Sequence, residues 1–197
     1  MSEVEETQET IIRRLSQVFA KKGWNPEKRR PVPQIPLESV QISIPRAENN
    51  GVWVVDIFAT PQPLLERVYQ VPENFHLLQF LLELDCSVKQ EYLEQLFLLL
   101  SRANKMLSFP GLFYDEMDQK IKLRISTPFA ASKQAYLNLP PLLGMLTEEL
   151  ERWAPIIADI ATGNKTLDDL NREAQKWAAQ MGQKMQTRQE ASDKISE

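Results

Sequence analysis

The sequence predicts an α+β protein in which a twisted antiparallel sheet is packed by helices. Apolar residues follow helical spacing in four segments, shorter segments alternate with period two, and prolines and glycines separate them. The predicted order is helix, three strands, helix, two strands, helix, with an extra C-terminal helix. With 197 residues, 43% of them hydrophobic, the chain has the size and composition of one ordinary domain. We expect this domain over residues 1–163 and a helical extension, frayed at its end, over residues 164–197.

The first helix is predicted over residues 7–22. Acidic residues near its start and Lys21 and Lys22 at its end suit the helix dipole, and Gly23 suits a left-handed stop. Residues 24–37 are rich in proline, which removes backbone donors and holds the chain extended. We therefore interpret them as a connecting arm.

Three strands are predicted next. Residues 40–44 alternate apolar and polar side chains, and residues 52–58 are rich in β-branched and aromatic residues. The Asn-Asn-Gly run at residues 49–51 tolerates a positive φ and predicts a hairpin between them. The apolar run 75–85 fits either a strand or a helix, and we favour a strand because Ser87 offers a helix start directly after it.

The second helix is predicted to begin at a capping box formed by Ser87 and Gln90 and to run to Met106. Its main apolar stripe is formed by Leu93, Leu96, Phe97, Leu100 and Ala103. Leu98 and Leu99 lie off this stripe. A helix that is apolar nearly all round is either deeply buried or part of an interface.

A second hairpin, residues 112–117 and 120–127, is predicted after the breaker at Pro110 and Gly111. Its second strand alternates apolar residues with Lys122 and other polar residues, so one face of it is expected to meet solvent. Three acidic residues lie near its tip: Asp115, Glu116 and Asp118. They could attract a cation, but the glycine and distal glutamate of a calcium loop are missing, so a solvated turn is favoured.

Two further helices follow. Pro140 and Pro141 suit the first turn of the third helix, which is expected to end at Gly163. Thr166 can cap the last helix, in which residues from Gln186 onward are polar. The apolar edge of this helix consists of Leu170, Ala174, Trp177, Ala178, Met181 and Met185.

The side chains give little support for catalysis or for a cofactor. The chain has one histidine, His76, and one cysteine, Cys86, and the residues next to Cys86 offer no cation to activate it. We interpret His76 as a strand-edge residue with a satisfied ring and Cys86 as a buried thiol. No glycine-rich phosphate loop or nucleophile elbow occurs, so we expect no enzyme, no metal and no cofactor. Converging carboxylates leave no sequence signature, so a small-molecule binder or an enzyme using them stays the alternative.

Charge and hydropathy narrow the partners and the location. The net charge is −4 and the only basic cluster is residues 28–30, so nucleic acid is not an expected partner. No apolar run approaches the roughly 20 residues of a membrane helix. Residues 1–10 lack the basic and then apolar pattern of a secretory signal. We expect a cytoplasmic protein that spans no membrane.

Apolar residues beyond the needs of a minimal core point to a protein partner. We predict these as partner-binding residues: Leu98, Leu99, Trp177, Met181 and Met185. Large tryptophan and adaptable methionine side chains suit partner surfaces. Ordinary core packing is the alternative.

Residues 75–163 resemble the YbjN-like family of bacterial proteins, which has the type III secretion chaperone-like fold. The resemblance is carried by the strand 75–84, the helix end Arg102, Ala103 and Asn104, the run 110–115, the strand 121–126, and the helix with Trp153, Ala154, Pro155 and Ile156 before Gly163. It implies a family without known catalytic residues, whose secretion relatives are small acidic dimers that hold an extended segment of a partner. The arm, a proline-rich insertion at residues 61–72 and the last helix lie outside it. We therefore expect a chaperone- or adaptor-like protein that forms a homodimer.

Overall fold

The computed structural model describes residues 8–31, 37–46, 51–60, 75–108 and 111–193, with side chains described as far as Met181 in the last helix. The α+β class and the predicted order of elements are confirmed. Among the helices of this described part, none has the length and apolarity needed to cross a bilayer.

The elements have the following bounds. The helices are α1 (Gln8–Ala20), α2 (Leu93–Met106), α3 (Lys133–Thr162) and α4 (Leu167–Asp193), and a 3₁₀ turn (Gln90–Tyr92) precedes α2. The strands are β1 (Glu27–Arg29), β2 (Ser39–Pro45), β3 (Val52–Thr60), β4 (Phe75–Leu84), β5 (Leu112–Asp115) and β6 (Lys120–Ala130). The run that fitted a strand or a helix is thus β4. The short strand β1 is an addition inside the predicted arm, and the Asn49–Asn50 part of the first hairpin turn lies outside the described residues.

All strand pairs are antiparallel, and the strand order across the sheet is β1-β2-β3-β4-β6-β5. Alternate residues of the strands point to one face, where they form a single core with α1, α2 and α3. The strands contribute Val40, Ile42, Val55, Ile57, Leu78, Phe80, Leu82, Ile121 and Leu123 to this core. In the described part of the chain no helix packs on the opposite face, which we call the open face.

The predicted start of the second helix at Ser87 is wrong. The connection after β4 stays extended as far as Lys89, whose N–H donates to the carbonyl of Ala161 in α3 at 3.0 Å. The N–H of Tyr92 then donates to the carbonyl of Lys89 at 3.0 Å, which closes the 3₁₀ turn. A tertiary hydrogen bond therefore sets this helix start, and the capping box does not.

The predicted start of the third helix at Pro140 and Pro141 is also wrong, because α3 begins about two turns earlier. Ser132 is its N-cap, and the Ser132 hydroxyl accepts a hydrogen bond from the N–H of Ala135 at 3.2 Å. The two prolines remove helix hydrogen bonds from the interior of α3. Burial of Tyr136 and the rest of the apolar face outweighs that loss.

Both predicted glycine stops are confirmed. Gly23 follows α1 and Gly163 follows α3, each with φ 76°, a left-handed conformation that side chains disfavour. A Cβ on Gly163 would lie 2.1 Å from the ring of Tyr92. The junction of α3 with the 3₁₀ turn therefore requires glycine for its conformation and for its space.

Candidate functional site

Two hydrogen bonds join the base of α4 to α2. The N–H of Leu167 donates to Gln95 Oε1 at 3.1 Å, and Arg102 Nη1 donates to Asn171 Oδ1 at 3.3 Å. By helical spacing Leu98 lies on the same side of α2 as Gln95 and Arg102. Leu98 therefore faces the side on which α4 runs.

The predicted cap of α4 is confirmed as a reciprocal pair. Thr166 Oγ1 accepts a hydrogen bond from the N–H of Asp169 at 3.2 Å, and Asp169 Oδ2 accepts one from the N–H of Thr166 at 2.9 Å. The hydrogen bonds from Thr166, together with Arg172, lower the pKa of Asp169 to about 2. The cap fixes where α4 begins.

Three of the predicted partner-binding residues are exposed near this junction. Leu98 is 50% exposed, Trp177 is 64% exposed and Met181 is 37% exposed. All residues from 171 to 181 are exposed, so α4 projects from the body beyond its first turn. Trp177 lies six residues after Asn171, or about 9 Å along the helix.

Helical spacing shows which side of each helix carries these residues. On α4, Trp177 and Met181 follow Leu170, seven and eleven residues earlier, which packs against the core. On α2, Leu98 and the exposed Met106 follow the side that touches α4. We call this surface, formed by Leu98, Met106, Trp177 and Met181, the α2–α4 surface.

Two predictions for α2 are corrected. Leu99 is 4% exposed and packs in the core, so it is not available to a partner. Phe97, predicted on the buried stripe, is exposed and packs edge to face on Tyr114, with ring centroids 5.9 Å apart. The buried stripe contains Leu96, Leu99, Leu100 and Ala103, and is therefore rotated slightly from the predicted one. The side chain of the fifth predicted residue, Met185, lies outside the described part.

A second candidate site lies on the open face of the sheet. It is a cavity of about 380 Å³ over β3, β4, β5 and β6. Its apolar walls are formed by Leu37, Phe58, Leu81, Phe113 and Met117. We call it the sheet-face cavity.

The polar wall of the sheet-face cavity is a hydrogen-bonded row across three strands. Arg124 on β6 donates from Nε to Gln79 Oε1 at 2.8 Å, and its Nη2 donates to the same oxygen. Gln79 on β4 donates from Nε2 to Thr60 Oγ1 on β3 at 2.7 Å. Gln79 is only 8% exposed, so these bonds satisfy a buried amide and hold Arg124 in place.

Two carboxylates converge at one end of this cavity, and a lysine lies between them. Lys122 is 4% exposed, and its ammonium donates to Asp115 Oδ2 at 2.9 Å and to Asp118. The hydrogen bond from Lys122 is the main reason that the pKa of Asp115 is lowered. The expected solvated turn is therefore a cluster around a buried lysine, and Lys122 does not meet solvent as predicted.

That cluster does not favour acid–base catalysis. Asp115 is held ionised and its oxygen is occupied by Lys122, whereas a general acid needs a raised pKa and a proton to give. Within the described ranges, no group of three or more histidine, cysteine or acidic side chains is arranged to hold a metal ion.

The lone histidine and cysteine lie in other places. His76 is the second residue of β4 and pairs with Phe129 of β6, one residue beyond the described β3–β4 register, which ends at Thr60 and Leu77. Its Nε2 is buried and has no partner among the described residues, and desolvation lowers its pKa. Cys86 is partly buried, and burial followed by the charge of Asp85 raises the pKa of its thiol. A raised pKa opposes the thiolate form that a nucleophile needs.

No protein-family model matches the chain, and no curated protein sequence matches it. The resemblance to YbjN-like proteins therefore stays a prediction. Because one fold can serve many functions, the functional conclusion depends on the two surfaces described above.

Proposed function

We propose that this protein is a non-catalytic binding protein of the chaperone or adaptor kind, which holds another protein on the α2–α4 surface. The observation that carries the proposal is Trp177, which is 64% exposed on a helix that projects from the body. Tryptophan is among the residues that most often dominate protein–protein binding energy. A solvent-exposed tryptophan on the same side of α4 as Met181, with Met106 and Leu98 exposed on α2, is best explained by a partner that covers them.

The shape of this surface favours an apolar segment of the partner. The base of α4 is hydrogen-bonded to α2, and residues 171–181 of α4 are exposed, so the outer sides of both helices are open to a partner segment. An amphipathic helix or an extended apolar segment is suited to such a surface. Trp177 and Met181 on one side and Leu98 and Met106 on the other would contact its apolar face, and flexible methionines can adapt to its shape.

Two further parts of the proposal are a homodimer, which the resemblance stated above supports, and a cytoplasmic location, which is the expectation from the sequence pattern. Sedimentation at several protein concentrations tests the first, because a dimer in exchange with monomer shifts with concentration. A monomer at every concentration would remove the homodimer and leave the partner-binding proposal standing.

Site-specific photo-crosslinking in living cells tests the partner surface. A photoreactive amino acid is placed at Trp177 and, as a matched control, at Gln175, which is exposed on roughly the opposite side of the same helix. We expect the probe at position 177 to capture one protein repeatedly and the probe at position 175 to capture it much less. Capture of another copy of the chain would identify the surface as a homodimer contact.

The variant Trp177→Ser gives a second readout. It should abolish co-purification of the captured protein without changing the circular dichroism spectrum, because the side chain is mainly in solvent. Equal capture at positions 175 and 177, or unchanged co-purification with Trp177→Ser, would contradict the proposal.

The alternative function, small-molecule binding, is favoured by one observation, the sheet-face cavity with its row Thr60, Gln79 and Arg124. The enzymatic form of this alternative needs converging carboxylates that can exchange protons. Asp115 and Asp118 converge, but they are occupied by Lys122.

A further inference from the structure

We propose that the sheet-face cavity binds a small molecule with an apolar body and a single carboxylate head group. Arg124 and Thr60 would hold the carboxylate, and the apolar walls would hold the body. This activity is separate from the capture of a protein on the α2–α4 surface, because the cavity lies on the face of the sheet opposite the helices.

The donors for the head group follow from how Gln79 is bonded. Its Oε1 accepts from Nε and Nη2 of Arg124, which orients the guanidinium and leaves the other N–H groups of Arg124 to a ligand. Its Nε2 donates to Thr60 Oγ1, so the hydroxyl hydrogen of Thr60 is directed elsewhere. The guanidinium and the hydroxyl thus flank the Gln79 amide from β6 and β3, and a guanidinium with unused N–H groups matches the geometry of a carboxylate.

The charges around the cavity favour an anion. The ammonium of Lys122 is balanced by Asp115 and Asp118, whereas among the described residues no carboxylate forms an ion pair with Arg124. Its only hydrogen-bond partner in that part of the chain is the neutral amide of Gln79.

The acidic side chains on the same face of β4 and β3 are already held. Glu83 on β4 pairs with Lys120 at 2.8 Å. Asp56 Oδ1 accepts a hydrogen bond from Gln41 Nε2 at 3.2 Å, on the side of β2 and away from β6. Burial raises the pKa of Asp56, and Arg29 is the cation beside it. Within the described ranges, the positive charge of Arg124 therefore has no carboxylate partner, which suits an external anion.

The walls limit the size of the ligand. Phe58, Leu81 and Phe113 form the apolar floor, and a volume of about 380 Å³ lies in the lower part of the range for small-molecule sites, roughly 300–1,000 Å³. Leu37, before β2, and Met117, in the turn after β5, bound the cavity on its two sides. A cavity bounded on two sides fits a compact molecule better than a polypeptide that passes along the sheet.

Calorimetric titration of the full chain with octanoate tests the proposal. Octanol has the same body without charge, acetate has the head group without the body, and octylamine has the opposite charge. We expect octanoate to bind about tenfold or more tightly than octanol, and acetate and octylamine to show no binding at the same concentrations.

Variants assign the binding to this cavity. Arg124→Gln should weaken octanoate about tenfold or more and leave octanol unchanged, and Phe113→Ala should weaken both ligands. Arg152→Gln is the matched control, because Arg152 is exposed on α3 and pairs only with Glu148 in the described structure. If Arg124→Gln does not fold, Thr60→Val is expected to give a smaller loss that is again specific to octanoate.

Three results would overturn the proposal. They are equal binding of octanol and octanoate, octanoate binding that Arg124→Gln and Thr60→Val leave unchanged, and no octanoate binding at millimolar concentration. A captured protein crosslinked to a probe at Phe113 would make the occupant a polypeptide and overturn it as well. The variant Trp177→Ser should bind octanoate normally, which keeps a failure here distinct from a failure of the partner-binding proposal.

Discussion

Asn104 shows how one side chain joins a helix to a strand. Its Oδ1 accepts from the N–H groups of Gly111 and Leu112 at 3.0 and 2.9 Å, and its Nδ2 donates to the Leu112 carbonyl at 2.9 Å. The end of α2 is thereby fixed to the start of β5. This is the piece of the sequence on which the resemblance to YbjN-like proteins most depends, and its function in this chain is structural.

Replacing Asn104 with alanine should lower the free energy of unfolding by about 2–4 kcal/mol, because two backbone N–H groups and one carbonyl lose their partners. Urea denaturation measures this change. Asn138→Ala is the control, since Asn138 is exposed on α3 and bonds only Gln134 among the described side chains, at 2.9 Å. It should stay within about 0.5 kcal/mol of the parent. Equal effects of the two variants would contradict this role of Asn104.

His76 should make stability depend on pH. Burial lowers its pKa in the folded chain, so below the unfolded value of about 6.5 the unfolded chain binds more protons. The free energy of unfolding should therefore fall as the pH is lowered from 7.5 to 5.5. Denaturation of the parent and of His76→Leu across this window isolates the contribution of His76. The carboxyl groups contribute equally to the pH dependence of both proteins, so the difference between the two curves belongs to His76. Parallel curves would show that His76 is not responsible.

At the scale of elements, periodicity is sufficient to locate the helices and the main strands but not to place all their ends. Residues 75–84 form a strand as favoured, because alternation puts apolar side chains on the core face. The starts of α2 and α3 were missed because Lys89 is bonded to a distant carbonyl and because buried Tyr136 extends α3 before its prolines. Neither contact is visible in a local window of sequence.

The candidate sites differ in how far sequence could reveal them. Trp177 and Leu98 stand out as apolar residues beyond a minimal core, and they are exposed. The row of Thr60, Gln79 and Arg124 was missed, because each is simply a polar residue in an alternating strand. Only the pairing of β3 with β4 and of β4 with β6 brings the three together.

The β5–β6 hairpin depends on a close approach at Gly111. A Cβ at this position would lie 2.0 Å from the carbonyl oxygen of Arg124, and the backbone of β6 cannot move aside easily. Gly111→Ala should therefore destabilise the fold by more than about 2 kcal/mol.

Gly144→Ala is the matched control, because nothing lies within 4 Å of a Cβ there. That change inside α3 should stabilise by about 0.5–1 kcal/mol, and thermal denaturation of both would show opposite shifts. A neutral Gly111→Ala would rule out the close approach.

At the scale of the whole molecule, the projecting part of α4 should contribute little to folding. Residues 171–181 are all exposed, whereas α1 buries Ile11, Ile12, Leu15 and Phe19. A chain that ends at Lys176 should therefore melt within about 2 °C of the full chain and lose capture of the partner. Removal of residues 1–15 should instead unfold it. A large fall in melting temperature on removing residues 177–197 would show that α4 supports the fold.

Within the strands that carry the open face, alternate residues are under two different constraints, one from the core and one from the cavity. Along β3, β4 and β6, alternate residues hold the core, and the residues between them line the sheet-face cavity. Substitutions at Phe58, Leu81 or Arg124 can therefore alter ligand preference while the neighbouring core residues stay unchanged. A family built on this sheet could diversify what it binds by mutation at every second position, with the scaffold held constant.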